Sequence, residues 1–188
     1  MKCRYVGKGP EPKNRWAINA SLAAVEQLLL ADGQPFHRNF AAMAIASPAE
    51  GGHGGNYNKF LSEGLLYEAW IGDMIALREA NWDYLENAKH KASTTWRTGA
   101  TNGRMIIHEN KHLQKEDSIW PGAIPSPFAV AATSALLPHQ DETLSRIFCD
   151  TLGRLLEPNE TAYLDYSPPE NADLVDGTSF GHAPQLWW

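Results

Sequence analysis

The string His108-Glu109-Asn110-Lys111-His112 places residue types at a spacing that chemistry can use. Two imidazoles four residues apart share one face of a helix, so both can reach a single zinc ion. The glutamate beside them can take a proton from zinc-bound water, whose pKa the metal lowers towards about 7. The expectation is a zinc site with His108 and His112 as ligands and Glu109 as general base. Glu142, His139 and Asp150 are candidates for a third ligand, and spacing does not choose among them.

Over these five residues the chain resembles the zincin metallopeptidases, whose motif is H-E-x-x-H. The resemblance implies a zinc-dependent hydrolase acting on a peptide or another amide. A second pattern, His139-Gln140-Asp141 with His182, resembles the H-x-D…H facial triad of the iron/2-oxoglutarate oxygenases. Asp141 reads equally as the N-cap of a helix.

Two further residues are candidates for substrate contact. His53 sits among four glycines in Gly51-Gly52-His53-Gly54-Gly55, a loop whose backbone can approach a ligand closely. Its other reading is a plain connector. Trp120 belongs to a Pro-rich connector, Trp120 to Pro127, where an exposed ring suits stacking. It is one of seven tryptophans, and the chain ends Leu186-Trp187-Trp188.

The elements that must position these residues read mainly as helices. Ile18, Leu22, Val25 and Leu29 share one helical face, which predicts a helix over 15–31 closed by Asp32-Gly33. The Ala-rich stretch 36–46 reads as a shorter helix. Asn56 caps a long, largely buried helix running to about residue 87, with Gly64 and Gly72 marking close helix contacts. Residues 93–98 carry strand-like Ser-Thr-Thr-Trp, giving either a hairpin with 104–108 or a separate helix from 104 to 117. Further helices are expected over 128–137, ended by Pro138, and from Asp141 to Pro158. The fold expected is mainly α: a single domain of about five helices over 14–158. It has an irregular or hairpin middle segment, a basic arm at 1–13 and an extended tail at 159–188.

Composition narrows the function classes. The 188 residues suit one core. Sixteen Lys and Arg against 22 Asp and Glu give a net charge of −6, which disfavours general nucleic-acid binding. No apolar run approaches a membrane span, and no Sec-type signal opens the chain. The two cysteines, Cys3 and Cys149, make no disulfide framework, so a reducing cytosol is the simplest compartment. Cys149 reads as a buried thiol. The second function class is a non-catalytic helical subunit that forms a homo-oligomer or joins a larger assembly. It would contact neighbours through the arm and the Trp-ended tail.

Overall fold

The structure, a computed structural model, describes residues 1–33, 35–49 and 51–157. His182 and the tail expected at 159–188 lie outside the described residues. Met1–Leu156 form one unit.

This unit is mixed α/β, which corrects the mainly α expectation. Its strands are β1 (Lys2–Tyr5), β2 (Phe40–Ala46), β3 (Leu65–Gly72), β4 (Ala123–Pro125) and β5 (Val130–Ser134). They form one antiparallel sheet in the order β1-β3-β2-β5-β4. The helices are α1 (Arg15–Leu30), α2 (Tyr57–Lys59), α3 (Met74–Glu79), α4 (Tyr84–Thr98), α5 (Asn102–His108) and α6 (Pro138–Leu156).

Helices cover both faces of the sheet. On one side α1 and α6 pack Leu22, Val25, Leu144, Phe148 and Leu152 against Met43, Ile45, Tyr67, Ile71 and Ala131. On the other, α4 lays Ala88, Ala92 and Trp96 against Ala44, Ala46, Val130 and Ala132. Alternate residues of β2 therefore enter different cores, as a pleated strand requires. Each fully buried Leu or Phe stabilises the unit by about 1.5–3 kcal/mol.

The double burial explains why 36–46 differs from the expected helix. All seven residues of β2 are buried, so the strand is apolar throughout and lacks the alternation that marks a half-exposed strand. Its alanines favour helix in isolation, but between two helical layers their small size lets α4 approach the sheet. The helix expected over 57–87 is instead α2, a π-helical turn at Phe60–Gly64, β3, α3 and the start of α4. Gly72 has φ +79, and a Cβ there would lie 2.0 Å from the Asn39 carbonyl oxygen. It closes β3 rather than marking a contact between helices.

The hairpin expected at 93–98 is the C-terminal half of α4. Asp83 caps that helix by accepting from the Glu86 N–H at 2.9 Å. Thr94 and Thr98 return their hydroxyls to carbonyls four residues back, which removes the polar cost of threonine in a buried helix. The helix expected over 128–137 contains β5, and Pro138 opens α6 instead of ending a helix, a position where its missing N–H costs nothing. Residues 2–5 of the expected arm form β1 along β3, tied by an Arg4–Glu68 ion pair.

Candidate functional site

The expected zinc motif does not lie on one helix. Thr101 caps α5, accepting from the Arg104 N–H at 3.2 Å, and α5 ends at His108. Glu109 leaves the helical conformation with φ −133 and ψ 32, and a separate 3-10 turn carries Asn110–His112. The two imidazoles are therefore not aligned by i, i+4 spacing, the condition that made the string attractive. Glu109 is paired with Arg104 at 3.2 Å.

Glu109 and His112 line a cavity of about 630 Å³ with Arg97, Arg104 and Gln114. Both guanidiniums already hold carboxylates, Arg104 that of Glu109 and Arg97 that of Asp117 at 2.6 Å, and His108 is not part of this cavity's wall. Of the other candidate ligands, Glu142 pairs with Arg146 at 3.3 Å, and His139 and Asp150 are exposed on α6. Among the described residues no three His, Cys, Asp or Glu side chains come together in a group able to hold a metal ion.

The glycine loop serves α4. The N–H groups of His53 and Gly54 donate to the carbonyls of Trp96 and Arg97 at 3.1 and 3.0 Å, satisfying the open end of that helix. The His53 ring stacks on Trp96 at 4.3 Å, and its Nε2 lies 2.8 Å from the Pro48 carbonyl oxygen. These two amides of the loop are thus engaged with protein.

Trp120 stands elsewhere, at a second cavity of about 400 Å³. This cavity lies where the ends of β5, α4 and α6 meet, and its wall includes His37, Arg38, Trp82, Tyr84, Lys91 and Asp141. Trp82 and Trp120 are 60% and 51% exposed, an unusual state for the largest apolar ring. The Arg38 guanidinium lies 5.2 Å from the Tyr84 ring centroid and 5.3 Å from that of Phe40. It also donates to the Tyr84 hydroxyl. Among the described residues no carboxylate pairs with it.

At the inner end of the cavity, Lys91 of α4 meets Asp141 of α6. The Nζ donates to Asp141 Oδ2 at 2.7 Å and to the Thr133 carbonyl oxygen at 2.9 Å. The two side chains are 1% and 4% exposed. The other oxygen of Asp141 accepts from the Leu136 N–H at 3.1 Å. Burial is the leading influence on both groups. It pushes Asp141 up to about 6 and Lys91 down, and each partner partly offsets the shift of the other.

Elements from opposite faces of the sheet can touch here because residue 122 is glycine. A Cβ on Gly122, whose φ is +144, would lie 2.8 Å from the Thr133 carbonyl oxygen and 2.9 Å from Lys91 Nζ. Polar groups hold this point firmly. Asn102 Oδ1 accepts from the N–H groups of Gly122 and Ala123, and Ser145 donates to the Gly122 carbonyl at 2.6 Å. Beside it, Ala135 has φ 130, the one non-glycine residue with positive φ among the described residues. Such backbone strain persists only where the surroundings impose it, and it concentrates at binding sites.

The residues needed to foresee this site were visible but not linked. Asp141 drew attention as an N-cap or an iron ligand, whereas its partner is a lysine fifty positions away. Lys91 carried one signal, a lysine among the apolar positions of a helix, which the strand-like reading of 93–98 concealed. Cys149 is buried, as expected, and burial pushes its thiol up to about 11.

No protein family, no curated protein and no solved structure matches this chain.

Proposed function

We propose that the chain binds a small planar aromatic carboxylate in the cavity between Arg38, Trp82, Tyr84 and Trp120. The observation that carries this reading is Arg38. It is a half-buried guanidinium held over Tyr84, with no carboxylate partner among the described residues. A ligand carboxylate supplies that partner, and a guanidinium accepts it bidentately. The exposed rings of Trp82 and Trp120 give a flat ligand surfaces to stack on. The start of α6 at Pro138, on the same wall, adds the positive end of a nineteen-residue helix. A volume of about 400 Å³ suits a ligand of one or two rings.

Titrating benzoate and phenylacetate while following tryptophan fluorescence tests the reading. Saturable quenching is expected, and Arg38→Met should weaken it about ten- to a hundredfold, the worth of a charge-assisted hydrogen bond. Unsaturable quenching, or an Arg38→Met curve identical to wild type, would contradict it.

A zinc-dependent hydrolase is a second proposal, supported by the shared cavity of Glu109 and His112. Elemental analysis after refolding with zinc should then give about one metal per chain, lost in His108→Ala/His112→Ala. Association with further copies is a third, supported by the outer edge of β1, which has no neighbouring strand among the described residues. Native mass measurement tests it.

A further inference from the structure

The Lys91–Asp141 pair has the parts of a carbonyl-condensing site, an inference that rests on the cavity binding a carboxylate ligand. An amine becomes a nucleophile once it loses a proton and a lone pair is free. Lys91 Nζ has two of its three donor positions committed, to Asp141 Oδ2 at 2.7 Å and to the Thr133 carbonyl at 2.9 Å. The third is not bonded to any described residue. The acceptor that can take the proton is already in hydrogen-bond contact, and its other oxygen is fixed by the Leu136 N–H, so it is held in place for repeated transfers. Both side chains form part of the cavity wall. Gly122 packs closely against the amine, where a Cβ would stand only 2.9 Å from Nζ. Arg38, which has no carboxylate partner among the described residues, lines the same cavity.

We propose that Lys91 condenses with the keto group of an aromatic 2-oxo acid whose carboxylate is held by Arg38, while Asp141 moves the protons. Asp141 first takes a proton from the Lys91 ammonium. The amine lone pair attacks the keto carbon, a C–N bond forms, and the carbonyl oxygen receives the proton from Asp141. Asp141 then takes a second proton from the nitrogen and passes it to the hydroxyl, which leaves as water. The product is a protonated imine beside an ionised Asp141, so atoms and charge balance without any oxidant or reductant. Burial favours the neutral amine and the protonated carboxyl that the first step needs.

The test is reductive trapping of the full chain with phenylglyoxylate and borohydride, followed by peptide mass spectrometry, beside a benzoate titration. The expected result is one reduced adduct per chain at Lys91, suppressed by excess benzoate. In Asp141→Asn, trapping at saturating phenylglyoxylate should be about a hundredfold slower. Benzoate binding with no adduct at Lys91, or with adducts spread over surface lysines, overturns the condensation and leaves the cavity reading standing. Absence of benzoate binding together with absence of adduct overturns both.

Discussion

At the scale of single residues, the pair Lys91–Asp141 makes the sharpest demands. Two charges taken out of water are tolerated because each satisfies the other and the remaining contacts go to Thr133 and Leu136. Lys91→Met should destabilise the protein by about 3–5 kcal/mol near neutral pH, since the carboxylate is left buried without a cation. Urea denaturation measures this, and the penalty should shrink in acid, where the orphaned carboxyl protonates. The pH dependence has a definite sign. Burial pushes Asp141 up to about 6 from its ordinary 3.8, so the folded chain holds this proton more tightly. Its stabilising contribution is complete below about pH 4 and is lost as pH rises through about 6. Wild type should therefore lose stability relative to Asp141→Asn across that window; a constant difference would count against a buried, raised carboxyl. Gly122→Ala should cost about 1–3 kcal/mol through crowding against Thr133 and Lys91, with the cavity's ligand affinity falling as well.

At the scale of elements, the helices α1 and α6 were legible because each has one face towards the core and a stop signal in the right place. Residues 15–30 carry an apolar stripe that buries Ile18, Leu22, Val25 and Leu29, which is the pattern their spacing predicts. The strands were not legible, for a physical reason that β2 illustrates. A strand between two helical layers has no polar face, and the small residues Ala41, Ala42, Ala44 and Ala46 hold no β preference of their own. Their role appears only once α4 is seen against them. Enlarging one should be costly: Ala44→Leu should destabilise by about 1–3 kcal/mol in chemical denaturation, a result that a solvent-facing helix at 36–46 would not give. The candidate site fared similarly. Trp120 stood out as an exposed ring in a connector, whereas Arg38 and Lys91 came into view only through the packing that brings β5, α4 and α6 to one point. The motif at 108–112 was legible as a string, but the break at Glu109 depends on backbone angles that its residue types do not specify.

At the scale of the whole molecule, the sheet organises the chemistry. Its two helical layers meet where Lys91 passes Gly122 to reach Asp141, and the cavity opens beside that crossing. Among the described residues no helix is long and apolar enough to cross a membrane. The aromatic and cationic groups of the site come from segments far apart in sequence, 37–38, 82–91 and 120–141, so the site exists only in the folded unit. The most direct measurement is a two-dimensional NMR titration with benzoate. Binding as proposed shifts the indole N–H signals of Trp82 and Trp120 and the backbone amides of Ser134 to Leu137, all saturating at one concentration, while Gly54, Gly55 and Gln114 in the other cavity stay unchanged. Shifts confined to Gly54, Gly55 and Gln114, or no saturating shift anywhere, would contradict the account.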